Sequence, residues 1–198
     1  MGVEKRMADR CNTIRLYSFQ TDVVYQVLKR DGVCYSKEEY VRKKYKESAK
    51  VFINAYGWFV KEAQHIVPKP EGAEYPYWAF TDLYNVDQTG EGHVLTLDVP
   101  IGEAILFDMF DWTKIMQMHY IGENESEEAA FSEELKNMGM NEFQIMTSNF
   151  YPEQKARIQE SWKRLFGHQQ AIEAGDNSGV HSVQAGLWCI KDEWIVKE

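Results

Sequence analysis

Polar and apolar positions alternate through Ile14-Arg15-Leu16-Tyr17-Ser18-Phe19-Gln20, which predicts a half-buried first strand. Thr21 then stands where a helix cap belongs. Val24, Val27 and Leu28 recur at helical spacing to about Arg30, and Gly32 ends the pattern. Ser36 with Glu39 three positions on forms a capping box. It opens a predicted helix over 36–66, stopped by Pro68, with Val41, Tyr45, Ala49, Phe52, Tyr56, Phe59 or Val60, and Ala63 as one apolar stripe. Gly57 lies inside that stripe and implies a close crossing or a bend, because glycine costs helix propensity.

The second half reads as strands followed by helices. Strands are predicted at Tyr77–Phe80 and His93–Val99, the latter ended by Pro100, with a short apolar run at Ala104–Phe107. Asp108 is placed to cap a helix through about Tyr120. The acidic stretch from Glu123 to Asn137 suits a more exposed helix, and Pro152 opens one to about Phe166, closed by Gly167. The polar segment His168–His181 reads as a loop, and Val183–Ile190 with Trp194–Val196 as the last strands. The expected fold class is α+β: one domain with a mostly antiparallel sheet or partial barrel packed against the long helix at about 36–66. Residues 1–13 form a flexible N-terminal segment in this reading, and 14–198 a single globular domain.

The densest local composition is Glu74-Tyr75-Pro76-Tyr77-Trp78-Ala79-Phe80, four aromatic rings within six positions. Rings this dense either seal a core face or line a pocket, and aromatic residues at such spacings are core more often than cage.

Across 198 residues, 44% are apolar and 14% aromatic, which excludes general disorder. The net charge of −9 argues against binding nucleic acid by simple attraction to phosphate. Arg42-Lys43-Lys44 with Lys46, and Lys155, Arg157, Lys163 and Arg164, are the basic groups nearest to a patch, and both sets read as solvated helix faces. Cys11, Cys34 and Cys189 are odd in number and widely separated, so no disulfide framework or zinc knuckle is indicated. With no leader pattern and no apolar run of about 18 residues, the expected location is the cytoplasm.

Several of these segments together resemble an uncharacterised bacterial and phage family, domain of unknown function 3841. The resemblance rests on residues 14–20, Ala55-Tyr56-Gly57-Trp58, Tyr75–Phe80, Val94–Pro100, Leu106-Phe107-Asp108 with Trp112, and Val183 through Trp188 to Trp194. Tyr17 departs from it by standing where a tryptophan is usual, and the polar insert around Glu123–Glu134 is this chain's own. The family brings no activity and no catalytic residue with it.

Candidate chemistry is sparse. Asp176, Ser178 and His181 hold the side-chain types of a hydrolase triad, but Gly175-Asp176-Asn177-Ser178-Gly179 is not a nucleophile elbow and reads as a polar turn. Glu62 and His65 share a helix face as in half of a di-metal site, yet no second Glu-x-x-His occurs. The opening strand–helix–Gly unit resembles the start of the ADP-ribosyltransferase fold, whose first strand would carry a His or Arg where Ser18 stands, and of the PUA-like barrel that reads flipped bases. No complete catalytic constellation, metal site or cofactor is expected.

The leading expectation is a ligand- or nucleobase-binding module with a pocket near 75–80. It would be built from Trp58, Tyr75, Tyr77 and Trp78, with Arg15, Asp98 and Asp108 as edge-reading groups. The alternatives are an acidic inhibitor or adaptor that covers a basic partner protein through Glu127, Glu128, Glu133 and Glu134, as a phage-encoded inhibitor of a defence enzyme would, and an ADP-ribosyltransferase-like enzyme.

Overall fold

The computed structural model describes residues 12–39, 42 and 49–197. Most of the expected N-terminal segment (1–11), and Val41, Lys43, Lys44, Tyr45 and Lys46, lie outside the described residues. Strands β1 (Thr13–Gln20), β3 (Tyr77–Phe80), β4 (His93–Pro100), β5 (Ala104–Asp108) and β6 (Val183–Leu187) form an open antiparallel sheet in the order β4-β1-β3-β6-β5. A second small sheet pairs β2 (Val33–Tyr35) with β7 (Cys189–Lys191). This is an α+β domain. No helix among the described residues is long and apolar enough to cross a membrane.

Alternation along the strands gives the sheet two buried faces. Leu16, Tyr77, Ala79, Leu95, Leu97, Leu106, Ala185 and Leu187 point to one side, where helix α1 (Asp22–Asp31) adds Val24 and Leu28. Trp78, Ile105 and Phe107 point to the other and meet Tyr56, Phe59 and Ala63 of helix α2 (Ala49–Ala63). On that second side also pack α3 (Met109–Met116), α4 (Glu125–Asn137), α5 (Glu142–Thr147) and α6 (Pro152–Ser161), through Trp112, Ile115, Phe131, Leu135, Ile145 and Ile158.

Local signals hold where they are self-contained. Gly32 takes a left-handed φ of 75° and returns its N–H to the Leu28 carbonyl, closing α1. Asp108 caps α3 through the Phe110 N–H, although the helix stops at Met116 rather than near Tyr120. Helical residues are described at Glu38, Glu39 and Arg42, so the helical stretch starts two positions after Ser36, and it is the capping role of Ser36 that is corrected. Ser36 is a bridge partner of Tyr75, its carbonyl accepts the Glu74 N–H, and the Glu38 N–H is taken by the Glu74 carboxylate. A long-range pairing has displaced the local cap. At the other end the helix closes at Ala63, where His65 and Ile66 tighten into three-residue bonds before Pro68.

Of the two readings of Gly57, the close crossing is corrected: among the described residues no atom lies within 4 Å of where its Cβ would stand. The expected loop after His168 carries a short helix, α7 (Gln169–Glu173), and α5 was not expected at all. The final run Val183–Ile190 is divided, because after Leu187 the chain leaves the main sheet and Cys189 pairs with Tyr35.

Candidate functional site

The four rings of residues 75–80 are separated by the strand's own pleat. Tyr77 enters one core face and donates its hydroxyl to Cys34 Sγ at 3.1 Å. Trp78 enters the other, donating Nε1–H to the Tyr56 hydroxyl at 2.9 Å and lying 4.7 Å from the Trp112 ring centre. Trp58 is buried between Trp162 and Phe166. Tyr75 is buried edge-on to Tyr56, and burial, with the nearby negative charge of Glu38, pushes its phenol up to about 12. These rings make aromatic core contacts of the usual geometry.

The expected edge-reading groups are far apart. Arg15 and Asp98 are register partners across β1 and β4, held by Nε–Oδ1 at 2.5 Å and Nη2–Oδ2 at 3.1 Å. Asp108 ends β5, at the opposite edge of the five-stranded order. Four strand spacings separate those edges, about 19 Å. Asp108 is instead a local anchor: its side chain is 5% exposed and accepts the N–H groups of Phe110 and His181 and the imidazole Nδ1–H of His181 at 2.8 Å. Burial opposes its charge, but those donors outweigh it and hold the carboxyl below its ordinary range. His181 therefore turns to Asp108 and not to Asp176, whose carboxylate holds the Ser178 hydroxyl at 2.6 Å in a polar turn.

The acidic helix α4 is largely occupied by its own chain. Glu127 accepts the Tyr120 hydroxyl and the Glu123 N–H, which hold it below the ordinary carboxylate range. Glu128 takes Lys114 and the Gly122 N–H, and Glu134 is clasped by both Nη groups of Arg157. Glu133 faces solvent beside Lys136. A cleft of about 530 Å³ beside this helix is lined by Tyr120, Arg157, Glu160, Ser161, Lys163 and Arg164. Each of its cations is matched by a carboxylate: Glu134, Glu160, or the Glu123 and Glu127 pair. Among the described residues no group of three His, Cys, Asp or Glu side chains is placed to hold a metal ion, and Glu62 pairs loosely with Lys61.

A second cleft, of about 320 Å³, lies where the two sheets meet. Tyr35 and Cys189, cross-strand partners on β2 and β7, form one wall; Trp188 and Trp194 flank β7; Gly102 and Glu103 come from the turn before β5; and Val67, Pro68 and Pro70 close it from beyond α2. The arrangement is tied together. Trp188 donates Nε1–H to the Val67 carbonyl at 2.7 Å, Lys69 reaches the Ala73 carbonyl at 2.7 Å, and the Tyr35 ring lies over Gly72. The walls are otherwise apolar, and the one ionised pair is Lys191 with Glu103, whose Nζ bonds Oε1 at 2.7 Å and Oε2 at 2.8 Å. Burial works against the ammonium, but the Glu103 hydrogen bonds and charge outweigh it and hold Lys191 above its usual value. Burial pushes the Cys189 thiol up to about 11, so it sits in the wall as a neutral group. Apolar walls with few convergent polar groups are the usual make-up of a small-molecule site.

Of these lining residues, Trp188 and Trp194 stood out in the sequence as part of a family pattern, Cys189 as an unpaired cysteine and Pro68 as a helix stop, and none of them as a site. The missed signal is the pair of tryptophans six positions apart on either side of a three-residue strand.

The model of the family described as Domain of unknown function (DUF3841) matches residues 15–196, and the chain belongs to that family. No curated protein and no solved structure matches the chain.

Proposed function

We propose that this protein is a binding module for a planar, largely apolar ligand of nucleobase size, seated in the cleft between Tyr35, Trp188, Trp194 and the Pro68/Pro70 segment. The single observation that supports this most is the composition of that cleft: aromatic and proline walls around one ion pair, at a volume near the lower end for ligand pockets. The 75–80 rings serve this reading indirectly. Tyr75 bridges to Ser36, next to Tyr35, and so helps fix the wall. Gly102 offers the test. Among the described residues nothing lies within 4 Å of its missing Cβ, so this lining position has room to start a side chain, and Gly102→Leu is expected to reduce the space in the cleft. Calorimetric titration with indole and the four ribonucleosides is expected to show saturable binding to the native protein and none to Gly102→Leu, with equal melting temperatures. Equal binding by both proteins contradicts the reading.

A further inference from the structure

We infer that the Asp108–His181 pair is a second, catalytic site, at which His181 acts as general base in the hydrolysis of an uncharged ester that carries an aromatic group. The site does not depend on the cleft. Asp108 and Val183 are partners at one end of β5 and β6, while Ala104 and Leu187, next to the cleft residues Glu103 and Trp188, are partners at the other end, about 13 Å away.

The pair has a buried half and an open half. Asp108 is fixed from behind by the backbone N–H groups of Phe110 and His181, both at 3.0 Å, and faces the imidazole Nδ1 at 2.8 Å. An ionised carboxylate only accepts, so Nδ1 carries the proton and Nε2 keeps its lone pair in the neutral ring. The His181 side chain is 72% exposed, and no described residue bonds Nε2. The ring is nevertheless held in place, by Asp108 on one atom and by the Phe110 ring 4.8 Å away between centres. A base fixed in tautomer and direction, with a negative charge behind it to stabilise the imidazolium, is what proton abstraction from water requires.

The surroundings set the substrate class. Phe110 is half exposed although it packs on the imidazole, and Tyr84 is almost fully exposed beside Asn85, whose amide bonds the hydroxyl of Ser182, the neighbour of His181, at 2.7 Å. These rings offer stacking surface to an aromatic group. Asp111, largely buried three positions beyond Asp108, adds a second carboxyl, so a phosphate or carboxylate ester would meet like charge. In the reaction Nε2 takes a proton from water as the water oxygen bonds to the ester carbon. The tetrahedral adduct then breaks its bond to the leaving oxygen, which receives the proton back from Nε2. Acid and alcohol leave, and water is the one co-reactant. Asp108 is the positioning residue and keeps its charge throughout.

Release of 4-nitrophenol from 4-nitrophenyl acetate by the full chain tests this, with 4-nitrophenyl phosphate as the charged comparison. His181→Gln changes an exposed side chain and is expected to lower kcat roughly a hundredfold. Asp108→Asn is expected to lower kcat with KM unchanged, and long-range ¹H–¹⁵N spectra to show the Nδ1–H tautomer at His181 in the native chain and its loss in that variant. Phe110→Ala is expected to raise KM, and His93→Gln, at an exposed histidine paired with Asp22, to change nothing. No turnover above buffer, a rate equal in the native protein and His181→Gln, an equal loss in His93→Gln, an Nε2–H tautomer in the native chain, or faster turnover of the phosphate would each overturn the inference.

Discussion

The ring of Phe59 stands against the bare Cα of Gly186: a methyl group on Gly186 would meet Phe59 Cζ at 2.8 Å. Gly186 faces Trp78 across β3 and β6, and Phe59 lies edge-on to that indole at 5.1 Å between ring centres. Helix α2 thus approaches the sheet through one glycine. Gly186→Ala is expected to force the ring out of its seat and lower stability by about 1–3 kcal/mol. Urea unfolding followed by far-UV circular dichroism measures it, and an unchanged midpoint would contradict the contact.

Gly57 predicts the opposite sign. It is exposed, helical, and has open space where its Cβ would stand. Gly57→Ala is expected to raise stability by about 1 kcal/mol through helix propensity and the smaller entropy of the unfolded chain. The pair of glycine variants therefore shifts the unfolding midpoint in opposite directions within one domain.

The Asp108–His181 contact carries a pH dependence. Asp108 is held below its ordinary value of 3.8, so the unfolded chain binds the proton first on acidification. Its contribution is complete above that value and is lost as pH falls through the lower native value. Asp108→Asn keeps one acceptor but turns an amide donor toward donors. It is expected to lower stability by about 1–3 kcal/mol at pH 7 and to flatten the fall in stability below about pH 4. Urea midpoints between pH 2.5 and pH 7 check both.

Features set by neighbours in the chain were legible in advance. Gly32 ending α1 and Asp108 capping α3 each require only a few consecutive residues. The missed helix α5 also had a local sign, Asn141 and Gln144 in a reciprocal capping box. Features decided by distant partners were not legible. The Ser36–Glu39 pattern is a good cap by local rules, yet Ser36 pairs with Tyr75. The apolar run Val183–Ile190 carries no mark of the division after Leu187, which comes from Tyr35 pairing with Cys189. The same applies to the site. Aromatic density near 75–80 was visible, but the pleat that sends Tyr77 and Trp78 to opposite faces makes that density core packing. The cleft draws Tyr35, Pro68, Glu103 and Trp188 from four separated segments, and only the folded chain assembles them.

The most direct test is whether a ligand reaches Trp188 and Trp194, which are 3% and 4% exposed, and leaves the half-buried Trp78 with its neighbours Tyr56 and Trp112 untouched. The protein has six tryptophans, so 5-fluorotryptophan labelling gives a resolvable set of ¹⁹F signals, assigned by single Trp→Phe changes. On titration with indole, the Trp188 and Trp194 resonances are expected to shift with one shared binding curve, while those of Trp58, Trp78, Trp112 and Trp162 stay in place. Shifts at Trp58 and Trp78 with Trp188 and Trp194 unmoved would contradict the account.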